Sequence, residues 1–210
     1  MEGNKVVVIR TIYSELNGRL MSNSYYRGER LKLAGDDLSL VQAGDDDSEL
    51  LRDAMFTAEN EVMALLILKL GRVFSLLRDA VQSIEVDGVE CDRKPELDRD
   101  GLFAFGNYYT TKENPNVGDE LIEVDGTVSS NTITNIGKIG TIIKLRAMSN
   151  FDSEFALNVA VEEYVSERML AAWLEIVYPA EAAVSIARAN DKIGVVERVA
   201  IEREKPKRVY

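Results

Sequence analysis

Residues 167–190 read ERMLAAWLEIVYPAEAAVSIARAN and decide the fold, because two helical patterns meet there at a proline. Pro179 stops the first helix and can sit in the first turn of the second, where its missing N–H does no harm. The second helix is predicted over residues 180–201, and its alanine-rich first half permits close helix–helix approach. The side of this helix that we expect to be buried carries Ile186, Ile193, Val196 and Ala200.

The first helix of the pair is predicted to begin after Asn150–Ser153, which supplies a cap, with Glu154 in the first turn. Apolar residues at spacings of three and four form its predicted buried stripe: Val161, Val165, Met169, Ala172, Trp173 and Ile176. Upstream, apolar and basic residues alternate over 143–147, which is typical of a half-buried strand.

Residues 48–80 predict a long helix that Gly71 bends or splits in two. Its apolar stripe consists of Leu51, Met55, Ala58, Val62, Leu65, Leu66, Val73, Leu76 and Leu77. Residues 63–70 are apolar nearly all round, which indicates burial either in the core or against a neighbouring subunit. Asp46 and Glu49 match a capping box, so the acidic run 45–47 predicts a helix start.

Residues 5–20 also predict a helix, because Ile9, Ile12, Leu16 and Leu20 recur at helical spacing. The β-branched run 6–9 leaves a strand start as the alternative.

Residues 81–148 differ in character, with short β-type runs at 83–86, 102–110, 120–124, 132–136 and 141–148. Turn signals such as Asp87-Gly88 and Asp125-Gly126 separate them, which predicts a small antiparallel sheet or a projecting hairpin. The predicted fold class is α+β and mainly helical: a helical bundle with an inserted β hairpin or small sheet and an extended C-terminal arm. We predict a single domain over 1–210, divided into a helical part (1–80), a β-rich insertion (81–148), a helical pair (149–201) and a tail (202–210).

Composition restricts the chemistry that the chain can perform. The 210 residues carry a formal net charge of -11, which disfavours binding to phosphate backbones. The chain has no histidine, so it lacks the side chain that most often serves as a general base or a metal ligand. Its single cysteine, Cys91, cannot form an intrachain disulfide. No apolar run is long enough to span a membrane, and the N-terminus does not resemble a secretory signal, so we expect a cytoplasmic place of synthesis.

The remaining candidates for chemistry have simpler structural interpretations. Gly137–Thr141 lacks the spacing of a phosphate loop and reads as a turn between strands. Glu163 and Glu167 share one helix face without an accompanying histidine, which predicts a solvated face rather than a metal site. The acidic neighbours of Cys91 would raise its thiol pKa, so it is a poor nucleophile. We therefore predict no enzyme, no cofactor and no metal.

The two tyrosine pairs and the single tryptophan also have structural interpretations. No cluster of basic residues surrounds Tyr25-Tyr26 or Tyr108-Tyr109, so stacking on nucleic-acid bases is not expected. We expect these tyrosines to lie in the core, on an edge strand or at an interface. Trp173 is predicted to be buried.

The C-terminal tail is the one candidate binding segment. It is either a frayed terminus or an arm that docks on a neighbour. A proline extends it, two terminal side chains offer anchors, and its cations suit an acidic partner surface. The predicted partner-binding residues are Arg203, Lys205, Pro206, Lys207, Arg208, Val209 and Tyr210.

The order of these parts resembles that of head–tail connector (adaptor, or neck) proteins of tailed bacteriophages. The likeness lies in the strand 142–148, the capped segment 149–153, the long helix with Ala-Ala-Trp-Leu at 171–174, the alanine-rich helix and the basic, proline-containing tail. The resemblance implies a homo-oligomeric ring, commonly twelve-fold, beneath the portal, with the C-terminal arm reaching into it. The resemblance also implies that the protein is assembled in the host cytoplasm and becomes part of the virion, where it contacts other neck or tail proteins. It further implies non-specific proximity to DNA in the ring lumen and no association with a membrane.

Two other functions stay open on the residues alone. One is a non-enzymatic cytoplasmic α+β protein-binding or regulatory module. The other is a carboxylate-dependent, metal-using enzyme that relies on residues such as Asp46 or Glu163.

Overall fold

The structure, a computed structural model, describes residues 5–33, 43, 48–70, 73–99, 101–147, 151 and 153–201. In these ranges the α-helices are α1 (Tyr13–Leu33), α2 (Ser48–Lys69), α3 (Glu154–Val177) and α4 (Pro179–Ile201), and a short 3₁₀ helix spans Pro95–Leu97. The strands are β1 (Lys5–Ile12), β2 (Val73–Val81), β3 (Ser83–Val86), β4 (Val89–Asp92), β5 (Phe103–Phe105), β6 (Tyr108–Thr110), β7 (Glu120–Glu123), β8 (Val128–Thr132), β9 (Asn135–Ile136) and β10 (Ile139–Ala147). The predicted mixed α+β class is confirmed. Among the helices described, none is both long and apolar enough to cross a membrane.

Two compact units emerge from the contacts between residues. The helical unit comprises Met1–Ile9, Glu15–Phe74 and Leu145–Tyr210, and the β unit comprises Arg10–Ser14 and Ser75–Lys144. The predicted division of one domain into four parts stays a prediction.

The prediction of a helix from residue 5 is wrong for its first half. Residues 5–12 form β1, and α1 begins only at Tyr13, where Leu16 and Leu20 are buried as the helical spacing indicates. The β-branched run therefore follows its intrinsic strand preference, because β10 lies beside β1 and satisfies its backbone.

The predicted helix 48–80 is correct only as far as Lys69, where α2 ends. Residues 73–81 instead form β2, whose neighbour in the sheet is β10, so Val73, Leu76 and Leu77 are not helical. Gly71 follows the last helical residues, and a glycine at that place commonly ends a helix. Asp46, which the sequence pairs with Glu49 in a capping box, lies outside the described residues.

The helical pair is confirmed at both ends. Pro179 is the first residue of α4, directly after the Tyr178 that ends α3, and the two helices pack on each other. Ser153 takes the N-cap position of α3, although its side chain makes no capping hydrogen bond. The first-turn residue Glu154 instead accepts a hydrogen bond from the Val8 N–H at 2.8 Å, which anchors α3 to β1.

The faces of α3 and α4 differ in part from the prediction. Trp173 is buried as expected, whereas Ile176 is exposed. The buried residues of α4 are small ones, Ala182, Ser185, Ala189, Val196 and Ala200, while the larger Ile186 and Ile193 are only half-buried. Small side chains let two helices approach closely, so the alanine face rather than the isoleucines is turned inward.

The β unit is a succession of antiparallel neighbours. β3 pairs with β4 and β9, and β5 to β8 form a four-stranded sheet in chain order. A bridge between Arg93 and Phe105 links the two sheets. The predicted Asp87-Gly88 turn joins β3 to β4, and both residues have positive φ, 50° and 76°, as a tight hairpin requires. The core of this unit holds Val81, Ile84, Val86, Cys91, Phe105, Leu121 and Ile133.

Candidate partner-binding site

The predicted C-terminal arm, Arg203 to Tyr210, lies outside the described residues. Its seven partner-binding residues are therefore neither supported nor contradicted by the geometry. The last described residue before it is Ile201, at the end of α4.

The pairing of α3 with α4 sets which residues share one end of the helical unit. Lys192 forms an ion pair with Glu163, so positions about equally far from Tyr178 lie opposite each other. The first turn of α3 therefore lies at the same end as the last turn of α4. Lys69 binds Glu197 at 2.6 Å and brings the end of α2 to this same place.

Large apolar side chains at this end face away from the protein. Phe155 in the first turn of α3 is 83% exposed, and Leu68 near the end of α2 is 80% exposed. Ile67 and Ile201 are also exposed, the latter one helical turn beyond Glu197. We call Ile67, Leu68, Phe155 and Ile201 the apolar end residues. Residues 63–70 were predicted to be buried in the core or against a neighbouring subunit. The exposure of Ile67 and Leu68 excludes burial in the core for these two residues.

A polar groove of about 630 Å³ lies between α1, α3 and α4. Of the charged residues that line it, three are acidic (Glu15, Glu163 and Glu167) and two are basic (Arg19 and Lys192). Both basic groups are engaged, Arg19 with Glu162 at 2.8 Å and Lys192 with Glu163. The predicted shared face of Glu163 and Glu167 is thus confirmed, but it borders a groove that carries an excess of carboxylates.

Ser166 lies in the wall of this groove and is only 4% exposed.

A second polar cluster ties α2 to α3. Arg168 donates two hydrogen bonds to the Glu61 carboxylate, at 3.2 and 3.0 Å, and the Tyr164 hydroxyl donates a third. Burial alone would raise the pKa of Glu61, but the bonds from Arg168 and Tyr164 outweigh it and lower that pKa below its ordinary value. Burial and the bond to Glu61 raise the pKa of Tyr164. The tyrosine therefore stays protonated and acts as a donor that positions the carboxylate.

A buried arginine organises one side of the β unit. Arg93 has no side-chain exposure, and its guanidinium lies 5.1 Å from the ring centres of both Phe103 and Phe105. It binds Asp98 at 3.2 Å and donates to the Glu113 carbonyl at 2.6 Å. Lys144 contacts the same oxygen of Asp98 at 2.8 Å.

The other sequence candidates have structural roles. Residues 137–138 connect β9 to β10, and the Lys138 N–H donates to the Ser83 hydroxyl, as expected of a turn between strands. Burial raises the pKa of the Cys91 thiol, and the neighbouring Asp92 raises it further, which confirms the predicted direction. Asp45–Asp47 lie outside the described residues.

The tyrosine pairs differ from each other. Tyr25 and Tyr26 are exposed on α1 and meet edge to face, with their ring centres 6.0 Å apart. Tyr109 is buried and lies under the guanidinium of Arg99.

Within the ranges described, no three side chains of the metal-binding types come together to hold an ion. Comparison with protein-family models, with curated proteins and with solved structures finds no match.

Two of these features were not predicted from the sequence, the exposed Phe155 and the buried Arg93. The exposure of Phe155 had a signal, because it stands two residues before Leu157 and therefore off the buried stripe. Arg93 had none, since it belongs to a polar run (residues 92–100) that reads as a surface loop.

Proposed function

We propose that this chain is a structural virion protein, a head–tail adaptor that forms a homo-oligomeric ring under the portal and docks to it through its C-terminal arm. In such a subunit the four helices form a bundle, the β unit is an insertion, and residues 202–210 are the extended arm.

The observation that supports the proposal most directly is the exposure of the apolar end residues. Leu68 and Phe155 each leave most of a large apolar side chain in water, and burial of such a side chain contributes about 1.5–3 kcal/mol. Exposed apolar groups that lie together commonly mark a contact with another protein. The sequence left core burial and contact with a neighbouring subunit as alternatives for residues 63–70. Leu66 and Leu70 are buried, whereas the exposure of Ile67 and Leu68 supports a contact with another subunit. In a closed ring each subunit must offer two different complementary surfaces, of which these residues supply part of one.

The experiment measures assembly with a portal protein encoded near this chain. Purified full-length chain is mixed with the portal, and the complex is compared with that formed by a variant in which residues 203–210 are replaced by glycine and serine. The replacement keeps the length of the segment but removes its charges and anchors. We expect loss of the complex while the mass of the free chain is unchanged.

Undiminished portal binding by the replaced variant would contradict the role of the arm. A chain that remains a monomer at every concentration, with and without the portal, would contradict the ring.

A further inference from the structure

We propose that the β unit holds internal water between the side chains of Gln82 and Arg93. The inference goes beyond the ring and the portal, because the site lies inside a single chain and needs no other protein. It rests on polar atoms that are buried and that the protein's own groups leave without a hydrogen bond.

Both side chains are buried with hydrogen-bonding capacity that is not used. Gln82 is 2% exposed, and in the part of the chain that the structure describes neither its Oε1 nor its Nε2 has a partner. Arg93 is 1% exposed, and its Nε is likewise unpartnered, although its two terminal nitrogens bind Glu113 and Asp98. Buried polar atoms are nearly always satisfied by protein or by ordered water. These atoms therefore require a partner that the described residues do not supply.

The backbone places these two residues next to each other. Strands β3 and β4 pair with Ser83 opposite Asp92. The pairing continues for one more residue, because the Arg93 N–H donates to the Gln82 carbonyl at 2.7 Å. Residues that face each other in an antiparallel pair have their Cβ atoms about 5 Å apart. The unpartnered atoms of Gln82 and Arg93 therefore belong to one small region of the β unit.

The polarity of these atoms identifies the ligand as water. Oε1 of Gln82 needs a donor, whereas Nε2 of Gln82 and Nε of Arg93 need acceptors. A cation cannot accept a hydrogen bond, and the guanidinium would repel it. An anion cannot donate to Oε1, and the charge of Arg93 is already paired with Asp98 at 3.2 Å. Water both donates and accepts, and it is small enough to occupy an interior position.

The direct test is a crystal structure of the full-length chain at a resolution that shows ordered water. We expect a density peak within hydrogen-bonding distance of both the Gln82 amide and Nε of Arg93. A direct hydrogen bond between these groups, with no water between them, would overturn the proposal. Density there for an ion or a crystallisation additive would overturn the assignment to water.

The stability of two apolar variants, Gln82→Met and Gln82→Leu, tests the same site in solution. Both remove the amide but keep a side chain of similar size, so the water loses a partner. The folding equilibrium constant should fall by roughly fivefold in each, as is typical of a lost hydrogen bond. Thr132→Met, at an exposed position of β8, is the control and should change this constant by no more than roughly twofold.

The opposite result has a clear meaning, because an amide that makes no hydrogen bond loses nothing when it is replaced. Apolar replacement of an unsatisfied buried group leaves stability unchanged or raises it. Unchanged or greater stability in either apolar variant would therefore overturn the proposal. The use of two side-chain shapes prevents a poor fit of one of them from being mistaken for the loss of water.

Discussion

Arg93 shows how a single residue can hold the β unit together. A charge without solvent contact is costly to bury unless it is paired, and here Asp98, the Glu113 carbonyl and two phenylalanine rings surround it. Asp98 also accepts a hydrogen bond from the Ala104 N–H at 3.0 Å, so the pair connects β5 to the segment before it. Removing the arginine would leave the partly buried Glu113 carbonyl without this donor.

We therefore expect Arg93→Met to lower the free energy of unfolding by about 3 kcal/mol. Methionine fills much of the space between the rings, and Lys144 still pairs with Asp98, so the loss should stay at the lower end for a broken buried pair. The control is Arg99→Met, since Arg99 is exposed and its guanidinium stacks on Tyr109. This substitution should cost less than about 1 kcal/mol. Denaturant unfolding of both variants measures this, and equal losses would show that the buried network adds nothing.

Glu61 gives a residue-level prediction about pH. Hydrogen bonds from Arg168 and Tyr164 lower the pKa of this carboxyl in the folded chain, despite its partial burial. A carboxyl with a lowered folded-state pKa adds stability above its ordinary value of 4.5, and the contribution is lost as pH falls through the folded-state pKa.

The variant Glu61→Gln should therefore melt at a lower temperature than the unaltered chain at pH 7. The difference should shrink when both are measured in acid, below the ordinary pKa of the carboxyl. Glu175→Gln, at an exposed position on α3, serves as the control and should show no such pH dependence. If the melting temperatures of Glu61→Gln and the unaltered chain instead differ by the same amount at every pH, the charge of the carboxylate does not contribute to stability.

At the scale of elements, β1 and β10 approach each other unusually closely. A Cβ atom placed on Gly140 in β10 would lie 1.9 Å from the carbonyl oxygen of Thr11 in β1. Because that obstacle is backbone, it cannot be relieved by rotating a side chain. Glycine is required here to allow the contact between strands.

Gly140→Ala should lower the free energy of unfolding by at least about 2 kcal/mol, because one of the two strands must move. Gly194→Ala is the matched control, since Gly194 lies in the exposed middle of α4 with open space around its Cα. There alanine should raise stability by about 0.5–1 kcal/mol through its better helix propensity. Thermal and denaturant unfolding test both, and a harmless Gly140→Ala would contradict the close approach.

Some helices and strands could be predicted from the sequence and others could not. α3 and α4 were predictable, because a cap, a long apolar period and a proline all indicate the same boundaries. β2 was not, because residues 73–77 fit a helical period, and only the presence of β10 beside them selects the strand. The groove was half predictable: the shared face of Glu163 and Glu167 is local, whereas its meeting with Arg19 depends on how α1 packs.

The net charge and the exposed apolar surface of the chain favour different states, the first separate chains and the second association. A net charge of -11 keeps chains apart at low salt, while the apolar end residues favour association. Assembly of the proposed ring should therefore strengthen as ionic strength rises, since salt screens the repulsion between chains but does not weaken the burial of apolar surface.

The apolar end residues can be tested by replacing them one at a time with a charged side chain. Leu68→Glu and Phe155→Glu should each dissociate the proposed ring into monomers, because the proposed interface would have to bury a carboxylate without a partner. Both side chains are already exposed, so folding should change little. Phe155→Glu should change the free energy of unfolding by no more than about 0.5 kcal/mol, because an acidic group is favourable in the first turn of α3. Leu68→Glu places its carboxylate in the last turn of α2, where it should cost up to about 1 kcal/mol. Ala183→Glu controls for the added charge, because it is an exposed position of α4 near the opposite end. Light scattering at matched concentrations gives the masses. If all three variants keep the mass of the unaltered chain, or if Ala183→Glu dissociates it equally, the apolar end residues do not form the contact between subunits.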